Sequence, residues 1–210
     1  KDFSPIGLIA TRPMLLVAAP SAGVKNVDEF IAKVKAAPGK YSYGSSGVGT
    51  ALHLAGEMTK ERAGLFMTHI PYRGVAPLAS DLLGNNLEFG VFVLSSGLPH
   101  IRAGKLVALG TTEARRSPLT PDIPALGEHP RLKGIDIGSW FVLMGPAKLP
   151  EPVLARLKTA LAETLKSPDF RKRMESTGST VASPDVDLER FLRAEVAKYQ
   201  QIVQFAKIEQ

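Results

Sequence analysis

From Ile6 to Gly110 the chain alternates strand-sized apolar runs with amphipathic stretches bounded by helix start and stop residues, a rhythm few folds accept. Residues 14–19 (MLLVAA) are apolar throughout and closed by Pro20, which reads as a fully buried strand. Asn26 with Glu29 three residues later resembles a capping box. The helix it opens presents Val27, Phe30, Ile31 and Val34 on one face and stops at Pro38 and Gly39. Further strands are expected at residues 41–44, 68–71, 87–94 and 106–110, with helices near 51–62, 76–83 and 96–103. That spacing implies an α/β lobe built on a parallel sheet.

The character changes near Glu113. Residues 117–130 carry four prolines and little periodicity, as in a long irregular connection. A strand follows at 139–144. A helix then opens at Pro150, Glu151 and Pro152, with Val153, Leu154, Leu157, Leu161 and Leu165 in one stripe. Ser167 before Pro168 caps the next helix. The last helix starts at Ser183 or Asp185 and turns Leu188, Phe191, Leu192, Tyr199, Ile202 and Val203 inward.

Several function classes lose their chemistry here. No apolar run reaches the length of a membrane-spanning helix. The net charge of +6 is scattered, with tight basic groups only at Arg115 and Arg116 and at residues 171–173. Nucleic-acid binding needs a basic stripe interleaved with stacking aromatics, so none is expected; a mild positive field suits an anion. The absence of cysteine excludes a thiol nucleophile and a thiolate metal site. His53, His69, His100 and His129 are dispersed without ligand spacing, and no metal or cofactor is expected. His53 and Glu57, four residues apart on one helix face, read as a surface pair.

The informative segment is YGSSGVGT at residues 43–50, with a strand behind it and a helix ahead. Its glycine-rich turn gathers backbone N–H groups and the hydroxyls of Ser45, Ser46 and Thr50 at a helix N-terminus, where the macrodipole adds partial positive charge. Such a site holds an anion without a formal cation. The alternative is a tight turn that merely caps the helix. Three sharper motifs fail on spacing: Thr50 stands where a Walker A lysine belongs, Val48 where a nucleophile elbow needs glycine, and Leu52 where a dinucleotide fingerprint does. A second strand-to-helix loop, HIPYRGVAP at 69–77, brings Gly74 and Arg73. Ligands of open α/β sheets sit beyond the carboxyl ends of the strands, so both loops are expected to face one crevice.

These stretches, in order, carry a family resemblance. DFSPIGLIA (2–10), EFIA (29–32), PGK (38–40), YGSSGVGT (43–50), HLAGE (53–57), HIPYRGVAP (69–77), DLLG (81–84), LPHIRAGK (98–105), RSP (116–118), PDIP (121–124) and SWF (139–141) run the length of the chain. The sequence strongly resembles the tripartite tricarboxylate transporter substrate-binding proteins, the Bug family. The resemblance implies a type II periplasmic-binding-protein-like α/β fold of two hinged lobes that close on a small carboxylic acid. It implies a periplasmic, non-enzymatic solute-binding protein that serves membrane transporter subunits. Ser45, Ser46, Gly47, Gly49 and Thr50 match the family's ligand loop, and Gly74, Val75 and Ala76 its neighbouring contact. The other readings are a ligand sensor or interaction protein of the same fold, and a serine hydrolase using Ser46 for which no base is placed.

On that resemblance residues 11–112 form the complete ligand-binding lobe, while 1–10 and 113–210 form the remainder of the other, with crossings at 6–10 and 111–116. A family strand, glycine-rich loop and helix ahead of Lys1 have no counterpart, so the first lobe is expected to be incomplete. Its uncovered apolar strand at 141–144 and helix stripes are then expected to drive self-association. Phe92 and Val93 replace a polar pair of the family, which implies a more apolar pocket wall.

Overall fold

The computed structural model describes residues 2–206. The chain divides into two compact units: one holds the N-terminal residues to Arg12 and Ser139–Tyr199, the other Pro13–Gly138 and the residues from Gln200. Strand β1 (Phe3–Ala18) contributes its first part to one unit and its second part to the other. The expected division after residue 112 therefore differs from this grouping in the strap 113–138. Backbone bonds hold that strap: Thr112 N–H donates to Met14 O at 2.9 Å and Ile137 N–H to Thr112 O at 2.8 Å.

In the larger unit follow α1 (Val27–Ala36), β2 (Ser42–Ser45), α2 (Ala51–Ala63), β3 (Thr68–Pro71), α3 (Val75–Leu83), β4 (Phe89–Val93), α4 (Leu94–Arg102) and β5 (Val107–Thr111). The sheet order is β3-β2-β4-β1-β5. β2 pairs in parallel with β3 and β4, as the alternation predicts. The wholly parallel sheet is a misreading, because β1 pairs antiparallel with both β4 and β5. β1 enters this sheet from the other unit, so it needs no crossover helix and runs against the strands the helices generate. Local sequence announces a buried strand but not its direction.

Why these segments take these forms is local. The Asn26 side chain accepts the Glu29 N–H at 2.9 Å, while Glu29 reaches back to the Lys25 N–H at 2.8 Å and the Asn26 amide at 3.1 Å. The cap is the expected one, with the return bond one residue earlier than in a standard box. Phe30, Ile31 and Val34 are buried, and Phe30 meets Phe89 edge-on at 4.8 Å. On the opposite face Leu15, Val17, Leu78, Leu82, Phe92 and Leu94 form a core, each side chain worth roughly 1.5–3 kcal/mol of burial.

In the smaller unit, β6 (Gly138–Pro146) and β7 (Thr180–Val181) both pair with β1, β7 antiparallel through Ala10 and Thr11. Helices α5 (Glu151–Lys166) and α6 (Pro168–Ser176) and the part of α7 (Leu188–Phe205) up to Tyr199 complete it, while the end of α7 from Gln200 belongs to the larger unit. The α5 stripe has the expected spacing, yet only Leu165 is buried; Val153 is 44% and Leu157 37% exposed. Phe141, Leu143 and Met144 of β6 are also 37–39% exposed. Arg12 is fixed within this unit by Ser179 and Thr177 and lies over the Phe141 ring.

Candidate functional site

Because β3, β2 and β4 are parallel, their carboxyl ends share one sheet edge, and helices α3, α2 and α4 start there. The expected juxtaposition of the two loops holds: Tyr72 N–H donates to Ser45 O at 2.9 Å. The Gly74 cap of α3 has φ 105°, a conformation reserved for glycine, and lends no side chain to the helix end. The N–H groups of Val75 and Ala76 at α3, and of Ala51 and Leu52 at α2, have no carbonyl one turn back. Those of Ser46 and Val48 likewise have no partner among the described residues. Arg73 is exposed beside them.

The hydroxyls of the 45–50 loop are mostly spoken for. Ser45 is wholly buried, accepts the Gly47 N–H at 3.2 Å and lies 2.7 Å from His69 Nε2. Its hydroxyl is turned into the fold rather than toward an anion. Thr50 caps α2 by accepting the His53 N–H at 3.3 Å and donates to Gly47 O at 2.8 Å. Ser46 donates to Thr50 Oγ1 at 3.3 Å. What the loop presents outward is therefore chiefly peptide N–H, with Ser46 at its half-exposed lip.

Behind the loop lies a polar cluster that corrects the surface reading of His53 and Glu57. Both are buried, 5% and 7% exposed. Glu57 accepts from Tyr43 Oη at 2.6 Å and from Lys60 Nζ at 2.7 Å. The Tyr43 ring lies against Gly56, where a methyl group would overlap it. His53 Nδ1 accepts the Gly49 N–H at 3.1 Å, and its ring stacks on His69. Burial lowers His53 and holds His69 down at about 4, the latter with help from the charge of the neighbouring His53. Burial, then Glu57, pushes the Tyr43 phenol far up. The sequence reading missed His69, Tyr43 and Lys60 as partners. Lys60 was signalled by the face it shares with His53 and Glu57 at spacings of four and three; Tyr43 and His69, on neighbouring strands, carried no such signal.

Two further groups sit near this edge. Tyr72 donates to Asp81 Oδ2 at 2.7 Å, and burial with that bond raises its phenol to about 12. Beyond β5, Glu113 is pushed up to about 7 by burial and by the charge of Asp136. Phe92 does not line a pocket. It is fully buried in the core, and only Val93, on the other strand face, retains exposure.

Residues 1–208 match the family described as tripartite tricarboxylate transporter family receptor. A curated UPF0065 protein of Bordetella pertussis is 33% identical over 203 residues, 96% of this chain and 62% of that one. The chain spans 60–62% of the length of four such curated relatives. Among solved structures, R. palustris Rpa4515 with adipate superposes with a TM-score of 0.86 at 30% identity, over 99% of this chain and 70% of that one. MatC (Rpa3494) from Rhodopseudomonas palustris with bound malate gives 0.79 at 25% identity, over 96% and 69%.

Proposed function

The chain belongs to the tripartite tricarboxylate transporter receptor family and has its periplasmic-binding-protein fold, and from that premise we propose that it captures a small carboxylate in the periplasm and presents it to the membrane subunits of such a transporter. The observation that carries this reading is the pairing of two helix N-termini, α2 and α3, whose loops touch at one sheet edge with peptide N–H groups left unbonded. A carboxylate placed there gains charge-assisted hydrogen bonds and two macrodipoles. Ser46, Gly47, Gly49 and Thr50 shape one side, Gly74, Val75 and Ala76 the other, and Ser45 anchors the first loop from within. Residues 11–112, with the strap that follows, make up the proposed ligand-binding lobe. The adipate and malate of the two solved relatives suit such donors.

We read the chain as non-catalytic. Among the described residues the serine hydroxyl hydrogen-bonded to a histidine is that of Ser45, and it is wholly buried with its hydroxyl engaged, so no ester carbonyl reaches it. A second copy of the chain is a further proposed partner, through the exposed Phe141, Leu143, Met144, Val153 and Leu157. A thermal-shift screen tests the main reading. Di- and tricarboxylates are expected to raise Tm where their amides and esters do not; equal shifts from the uncharged analogues would overturn it.

A further inference from the structure

Resting on that carboxylate site, we propose that His53 is its positioning residue: the neutral imidazole accepts the Gly49 N–H and so holds the 45–50 loop in the form that presents its free peptide N–H groups. The loop is tied at both ends by the same stacked pair. His53 Nδ1 takes Gly49 at 3.1 Å, and His69 Nε2 stands 2.7 Å from Ser45 Oγ. Gly49 has φ 74°, a left-handed conformation glycine adopts without strain, and its N–H finds its acceptor in the His53 side chain. The acceptor nitrogen must lack a proton, which assigns the ring hydrogen to Nε2, the side facing Glu57 at 3.9 Å.

The groups facing His53 are Glu57 and Lys60 from α2, His69 from β3 and Tyr43 from β2. Glu57 is engaged by Lys60 and Tyr43, so its charge is already shared when His53 takes a proton. A proton on Nδ1 would set two N–H donors against each other at Gly49. It would also place a cation flat against His69, which burial keeps neutral down to about 4. Acidification therefore frees the Gly49 peptide and loosens the loop. Carboxylate affinity falls with it, and comparison with a variant lacking the imidazole separates this loss from protonation of the ligand itself.

The experiment is amide exchange and imidazole 15N NMR on the intact protein from roughly pH 4 to 7.5, with adipate affinity measured in parallel. The Gly49 amide is expected to be protected and to shift with the His53 titration. His53→Leu should speed its exchange and weaken adipate binding by roughly tenfold each, the scale of one lost hydrogen bond. His53→Asn, which keeps an acceptor oxygen near the Nδ1 position, should retain binding and lose the imidazole's share of the acid step, leaving only that of the ligand. Gly49 exchange indifferent to His53 protonation and to both substitutions would overturn the proposal. A Gly49 amide that loosens in His53→Leu, in a protein that binds no di- or tricarboxylate, would instead sink the carboxylate reading and leave the positioning bond standing.

Discussion

The imidazole rings of His53 and His69 stack 3.9 Å apart between centroids, with their planes 20° from parallel. One ring belongs to helix α2 and the other to strand β3, so the stack joins the elements whose ends form the proposed site. Burial favours the neutral form of both.

This fixes the sign of a pH effect. The folded-state values of both histidines are depressed below the ordinary 6.5, so their contribution to stability is complete above that pH and is lost as pH falls below it, that of His69 as pH approaches about 4. Glu113 works the other way. Its folded value of about 7 exceeds its ordinary 4.5, so its contribution is lost as pH rises between the two. A Glu113→Gln background should therefore steepen the gain in urea midpoint with rising pH, and adding His69→Gln should flatten it. A midpoint in the Glu113→Gln background that falls from pH 4 to 6.5 would contradict the assignment.

The Glu57 cluster should be costly to break. Tyr43→Phe removes one donor to a buried carboxylate and should lower unfolding free energy by about 1–2 kcal/mol. Glu57→Leu leaves Lys60 Nζ without its carboxylate and Tyr43 Oη with only the His53 carbonyl at 3.4 Å, and should cost roughly 3 kcal/mol. Denaturant unfolding checks both; equal, negligible losses would mean the network contributes nothing to the fold.

Ser46 and Thr50 separate binding from folding. Thr50→Val loses the α2 cap and should cost about 1 kcal/mol of stability as well as affinity. Ser46→Ala removes a half-exposed hydroxyl's 3.3 Å bond to the Thr50 cap but leaves the cap's own bonds in place, and should leave stability within about 0.5 kcal/mol. Both should weaken carboxylate binding by roughly 1–3 kcal/mol. Calorimetric titration reads the affinities, and unchanged values in both variants would remove the loop from the site.

What could be read from the sequence was what is decided locally. Asn26 and Thr50 cap their helices because the acceptor and the N–H lie within three residues. The glycine-rich turns announced the loops, and the adjacency of those loops followed from parallel pairing. The burial of Glu57 was not legible, because its partner Tyr43 lies 14 residues away on a strand that α2 approaches closely at Gly56. Nor was the direction of β1, which depends on where the strand enters the sheet. Phe92 and Val93 looked equivalent in the sequence, yet strand alternation sends the first to the core.

The smaller unit carries its own expectation. With Phe141, Leu143, Met144, Val153 and Leu157 over one-third exposed, the 210-residue chain should self-associate as concentration rises. Leu157→Gln with Val153→Ser should reduce that association without altering the larger unit. Light scattering decides it: a strict monomer at high concentration is the opposing result.

If the 45–50 and 74–76 loops together hold a carboxylate, a 15N–1H NMR titration with adipate, and then with malate, registers it at their own amides. Saturable shifts are expected, concentrated at the amides of Ser46, Val48, Ala51, Leu52, Val75 and Ala76, the groups left unbonded among the described residues at the α2 and α3 termini. Saturable shifts confined to β6 and α5, or binding that leaves those six amides unmoved, would contradict it.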